Sequence, residues 1–152
     1  NCDWSSDVCS SDLEHFTPFG KASVARQGRD ITVVALTVMV KKTLSVCDAL
    51  ASEGIDVEVI DPRTVAPLDI ETVVRSVEKT GRLLIVDEGF GPFGIGAEIA
   101  AKAADLAFDA LDAPIRRLNG LHSPTPYSPP LEAAVMISAE QVAQAIRDLC
   151  EE

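Results

Sequence analysis

Three short apolar runs that read as strands, each followed by a stretch with helical spacing, constrain this chain more than any other feature. ITVVAL begins at Ile31, DVEVI at Asp56 and LLIV at Leu83. Residues 39–53 place Val40, Leu44, Cys47 and Leu50 at helical intervals and stop at Gly54. A second helix puts Ile70, Val73, Val74 and Val77 on one face, with Asp69 as its N-cap and Gly81 as its end. An alanine-rich helix over 97–111 leads to a short strand over 114–118. Residues 138–149 close the chain as an amphipathic helix, Ser138 and Gln141 being spaced for a capping box. Strands alternating with helices of this length indicate parallel βαβ units. KASVAR and ITVVAL, joined by a turn at Gly28, read as a hairpin over 21–36 that adds one antiparallel strand at or near an edge. The expected fold is α/β, three layers (α/β/α), with a mostly parallel sheet of about five strands and one antiparallel strand.

The 152 residues amount to one ordinary domain, and a hydrophobic fraction of 47% with 24% charged residues makes it globular. A formal charge of −11 disfavours nucleic acid as a partner and favours a basic protein surface. No apolar run approaches the ~20 residues that cross a bilayer, and no basic-then-apolar leader is visible. Cys2, Cys9, Cys47 and Cys150 match no disulfide framework or metal motif, so reduced thiols in a bacterial cytoplasm are expected. Residues 1–13, NCDWSSDVCSSDL, lack either period and resemble the out-of-frame translation of a sequencing-library adapter. They are read as a non-native or disordered head, with the domain spanning 14–152 and the gene cut upstream.

The segment from Leu83 to Lys102, LLIVDEGFGPFGIGAEIAAK, contains G-x-G-x-x-G between a strand and a helix. That setting can hold a dinucleotide pyrophosphate. Asp87 and Glu88, immediately before Gly89, would repel it, and the following strand ends without the acid that binds ribose. The competing reading is that the glycines let the loop turn sharply and the next helix pack closely. Asp87 and Glu88 read either as catalytic carboxylates or as caps of that helix. His122 reads either as a proton carrier or as a loop histidine; its surroundings, HSPTPYSPP, hold four prolines and cannot be regular structure. No Ser-His-Asp order, P-loop or metal-spaced cluster accompanies them. The residues alone describe an acidic α/β domain without a complete active site.

Five segments then follow one another in a familiar order: PFGKASVARQGRDITVVAL, EGIDVEVIDPRTVAPLD, VEKTGRLLIVDEGFGPFGIGAEIAA, FDALDAPIRRLNG and PYSPPLE. Over about residues 16–150 they resemble the C-terminal domain of the beta chain of 2-oxo acid dehydrogenases, which has the transketolase C-terminal fold. The resemblance implies part of a thiamine diphosphate- and magnesium-dependent oxidoreductase. In that family the alpha chain and the beta chain's N-terminal domain hold the cofactor, so this fragment alone is expected to bind none and to be inactive. It also implies an assembly role, with an alpha chain and a second beta chain in a heterotetramer and a basic subunit-binding domain of the acyltransferase core. The family's docking aspartate falls on Asp112 in Leu111-Asp112-Ala113-Pro114, and the terminal carboxylate at Glu152 joins it. Gly94, Gly96 and Ala97 become interface-packing positions. Where many relatives have DEA or HEA, this chain departs with Asp87-Glu88-Gly89, and its glycine-rich FGPFGIG form resembles the pyruvate-type chains. Two alternatives stay open: a nucleotide-binding module using Gly89 to Gly94, and the same domain of a transketolase or deoxyxylulose-phosphate synthase.

Overall fold

The computed structural model describes residues 17–151. Five strands and five helices follow in the order β1 (Ser23–Arg26), β2 (Ile31–Ala35), α1 (Val38–Ser52), β3 (Val57–Asp61), α2 (Ile70–Thr80), β4 (Leu83–Phe90), α3 (Ile95–Leu106), β5 (Arg116–Gly120), α4 (Pro129–Val135) and α5 (Ala139–Cys150), with a 3-10 turn at Phe108–Ala110. The sheet order is β1-β3-β2-β4-β5, and every pairing is parallel except that of β1 with β3.

Successive side chains on a strand point to opposite faces, and here both faces are covered. Ile31, Val33, Ala35, Leu84 and Val86 join Met39, Cys47 and Leu50 of α1 and Val142, Ile146 and Leu149 of α5. Val34, Ile60, Leu83 and Ile85 join Val73 and Val77 of α2 and Ile99 and Ala103 of α3. The layers are therefore α1/α5, sheet, α2/α3, as the periodicities required. Local signals hold as well. Asp69 accepts from the Thr72 N–H at 3.2 Å, Gly81 ends α2 at φ +70°, and Ser138 with Gln141 forms the reciprocal capping box.

The hairpin over 21–36 is corrected. β1 pairs with β3 and lies at the sheet edge, with β3 between it and β2. The connecting turn crosses the start of β3 so closely that a Cβ on Gly28 would stand 2.2 Å from the Val57 carbonyl carbon. Arg29 and Asp30 N–H groups both donate to the Asp56 carbonyl at 3.0 Å, so β3, not β2, receives the turn. The proline segment also ends in structure: Pro129 and Pro130 occupy the first turn of α4, where a missing N–H costs nothing.

One polar network crosses the α2 face. Glu58, its side chain 4% exposed, accepts from the Gly28 N–H at 3.2 Å, from Ser76 Oγ at 2.5 Å and from Lys79 Nζ. Ser76 in turn bonds Thr32, and Thr32 bonds Thr80. Burial would raise the Glu58 carboxyl, but the Lys79, Ser76 and Gly28 donors outweigh it and hold it below the ordinary glutamate value.

Candidate functional site

Two edges of the sheet concern function, and the parallel topology sets both. At the carboxyl edge, the chain leaves β2 for α1 on one face and β4 for α3 on the other. Such a switch between neighbouring strands opens the crevice where α/β folds bind ligands. Here the chain's own groups fill it. The Thr37 hydroxyl donates to Glu88 Oε1 at 2.5 Å, joining the ends of β2 and β4. Asp87 is buried, and its carboxylate accepts from the Gly89 N–H at 2.9 Å. A Cβ on Gly94, the N-cap of α3, would lie 3.7 Å from the same carboxylate. Asp87 is thus an internal anion standing where a phosphate would have to sit, beside the positive end of α3.

The glycines are explained by the protein's own backbone. A Cβ on Gly94 would meet the Phe90 carbonyl oxygen at 2.3 Å, and one on Gly96 would meet Ile85 Cγ2 at 3.3 Å. Both positions seat α3 on β4, while Ala97, half-buried, retains outward surface. His122 is exposed and lies edge-on to Phe90, ring centroids 5.0 Å apart. Around this edge gather Phe19, Val38, Val65, Phe93, Tyr127 and Leu131, all large apolar side chains left exposed.

The amino edge is different in character. The helices α1, α2 and α3 each precede a parallel strand, so their C-termini end here, and Arg82 Nε donates to the Leu149 carbonyl at 3.0 Å, bringing the end of α5 to the same place. Helix C-termini carry partial negative charge. Asp112 stands among them on the loop before β5. Its N–H donates to the Gly81 carbonyl at 2.8 Å, and its carboxylate lies over Gly81, where a Cβ would be 2.2 Å from Oδ2. Asp112 and the residues leading to the C-terminus therefore share one corner, linked through Gly81-Arg82. Glu152 lies outside the described residues, as do Cys2 and Cys9.

Beside Asp112 is a recess of about 630 Å³ lined by Ala104, Phe108, Asp109, Leu111, Asp112 and Pro114, among others. Phe108 is 74% exposed on its rim. Sequence reading missed Phe108 and Asp109, although the quoted segment FDALDAP holds an apolar ring and two acids within five residues. Among the described residues, neither Asp109 nor Asp112 has an ion-pair partner, and no group of three His, Cys, Asp or Glu could hold a metal ion. No helix among them is long and apolar enough to cross a membrane.

Comparison with known proteins agrees with this architecture. The chain is 44% identical over 136 residues to the pyruvate dehydrogenase E1 component subunit beta, mitochondrial, of Dictyostelium discoideum, covering 90% of this chain and 38% of that one. It is 44% identical over 133 residues to the Rickettsia bellii pyruvate dehydrogenase subunit beta, covering 88% and 41%. It is also 45% identical over 130 residues to the acetoin:2,6-dichlorophenolindophenol oxidoreductase subunit beta of Cupriavidus necator, covering 86% and 38%. The chain thus spans about two fifths of the length of these curated relatives. Among solved structures, a split gene transketolase, described as an inactive beta4 tetramer, superposes with a TM-score of 0.72 at 28% identity, covering 91% of this chain and 44% of that one. The family described as "Transketolase, C-terminal domain" matches residues 20–142, and this chain belongs to that family.

Proposed function

We propose that this chain is the C-terminal assembly domain of the beta subunit of a thiamine diphosphate-dependent 2-oxo acid dehydrogenase, with pyruvate as the favoured substrate of the whole enzyme. The observation that supports the reading is the contrast in chemical character between the two sheet edges, apolar at one and acidic at the other. Exposed large apolar side chains on a monomer mark protein contacts, and the carboxyl edge collects most of them, Phe93 and Tyr127 included. In this reading that edge meets the alpha chain and a second beta chain. Gly94 and Gly96 contribute by seating α3 tightly, and Ala97 offers the surface on which a partner packs. The amino edge docks the basic subunit-binding domain of the acyltransferase core through Asp112 and the terminal carboxylate at Glu152. Charge supports this, since helix C-termini and unpaired carboxylates attract a cationic partner and favour charge-assisted bonds. The complex works in oxidative decarboxylation, in a bacterial cytoplasm.

The relatives imply a cofactor of thiamine diphosphate with magnesium for the whole enzyme, but the residues described here do not fit it. The glycine loop sets the Asp87 carboxylate beside Gly89 and Gly94, a group that disfavours a diphosphate there by charge. The same geometry disfavours a self-contained nucleotide module. Calorimetric titration tests both readings. The 152-residue chain should bind a purified basic subunit-binding domain and lose about tenfold in affinity on Asp112→Ala. Raising the salt concentration should weaken binding further. Micromolar binding of NAD(H) or FAD, with no binding of the basic domain at low salt, would sink the proposal.

A further inference from the structure

Between β5 and α5 the chain leaves the body of the domain as an arm. Its ends meet, the Leu121 N–H donating to the Val135 carbonyl at 3.3 Å, so residues 121–135 close on themselves in the manner of an Ω-loop. None of these residues is buried, and Leu121, Tyr127 and Leu131 are large apolar side chains left exposed. The first half of the arm is stiff. Ser123, Thr125 and Ser128 each precede a proline and are driven toward extended backbone, as Ser128 shows at φ −85°, ψ 124°. The second half is α4, which buries none of its residues and is far shorter than the ~12–15 residues at which a lone helix becomes even marginal in water. Leu131, Ala134 and Val135 fall at i, i+3 and i+4, so α4 has an apolar face that the domain leaves largely open.

Charge selects what can cover this face. The chain carries a formal −11, which keeps most of its surface away from a second copy. The arm escapes that repulsion: residues 121–131 contain no acid, and Glu132 is the one acid in 121–135. With His122 the arm holds one base and one acid, a self-complementary pair when two arms lie antiparallel. Size also suffices. Tyr127 alone offers about 150–250 Å², and the arm with Phe90, against which His122 rests, approaches the roughly 800 Å² that a specific interface takes from each partner. Resting on the assembly reading above, in which this edge meets a second beta chain, we infer that the arm pairs with the same arm of a second copy of the chain. The two Leu131–Ala134–Val135 faces pack across a twofold axis, Tyr127 covers the other copy's α4, and His122 faces the other copy's Glu132. Stiffness from the prolines keeps the cost of ordering low.

Sedimentation equilibrium of the purified 152-residue chain decides this. The chain should dimerise with a Kd on the order of 10 µM. Tyr127→Ala and Leu131→Glu should each weaken the dimer at least about tenfold. Both side chains are exposed, so thermal melts of these variants at sub-micromolar dilution should match the wild-type chain. His122→Glu should weaken the dimer and His122→Glu/Glu132→Lys should restore it, an outcome that a merely sticky surface would not give. Replacing residues 123–134 by a short Gly-Ser bridge, which the contact between Leu121 and Val135 allows, should leave a folded monomer. A wild-type chain that stays monomeric to about 200 µM, or a dimer indifferent to Tyr127→Ala and Leu131→Glu, overturns the inference. If that chain still binds the basic subunit-binding domain, the assembly reading stands; if it binds neither, both fail.

Discussion

Gly81→Ala tests the link between the fold and the proposed docking corner in one substitution. Gly81 closes α2 at φ +70°, its N–H bonding the Val77 carbonyl at 2.8 Å while its own carbonyl receives the Asp112 N–H. Left-handed backbone costs an L-residue about 1–2 kcal/mol, partly offset because alanine loses less entropy on folding than glycine. A second effect is steric. The new methyl would stand 2.2 Å from Asp112 Oδ2 but 3.3 Å from its Cβ, so rotation of the exposed Asp112 side chain relieves the clash at small cost. The net loss should be about 1 kcal/mol, or roughly 3–5 °C in melting temperature for a domain of this size. The carboxylate, however, must leave its position. Urea unfolding should therefore show a modest loss, while affinity for a basic docking domain falls about as far as in Asp112→Ala. In the double variant Gly81→Ala/Asp112→Ala, the stability loss should persist, because its source is the backbone angle. Full recovery of stability in that double variant would refute the reasoning, since it would make the clash the whole effect.

Three further substitutions probe the rest of the fold. Glu58→Gln should flatten the acid limb of the stability curve. The folded-state pKa of Glu58 is lowered, so its contribution is complete above the unfolded value near 4.5 and is lost as pH falls through the folded value. Thermal melts between about pH 5 and pH 2.5 that show the same slope for both chains would contradict this. Thr43→Val should stabilise by about 1 kcal/mol, because the buried Thr43 hydroxyl has no hydrogen-bond partner and valine keeps its shape; a loss on denaturant unfolding would show that the hydroxyl is satisfied in solution. Gly94→Ala should cost at least about 2 kcal/mol, since its Cβ would press on the Phe90 carbonyl, whereas Gly96→Ala, at 3.3 Å from a side-chain methyl, should stay within about 1 kcal/mol. Equal losses for the two glycines would mean that the loop relaxes freely.

What the sequence made legible was local physics. Alternation inside ITVVAL and LLIV sends Val33 and Leu84 to one face and Val34 and Ile85 to the other, so a two-sided sheet follows from the letters. Asp69, Gly81 and Ser138 announce helix ends because their chemistry is needed there and nowhere else nearby. The partner of β1 was not legible. It depends on Gly28 passing over the backbone of Val57 and Glu58, a contact that no period records. Glu58 offered one hint: a glutamate inside DVEVI must find donors once both faces are covered. The candidate site followed the same rule. Asp112 emerged only from resemblance, because its chemistry depends on Gly81, distant in sequence, and on the end of α5. The carboxylates of the glycine loop were legible as obstacles to a phosphate, but not as its replacement. Asp87 accepts from the Gly89 N–H of its own loop and lies beside Gly94 at the start of α3. At the carboxyl edge Asp87 and Glu88 are hydrogen-bonded by the chain's own loops, and large apolar side chains such as Phe93 and Tyr127 face outward. At the amino edge, helix ends and the unpaired Asp109 and Asp112 remain turned to solvent. A parallel α/β domain is polar by construction, and here one end suits apolar packing while the other suits a cation.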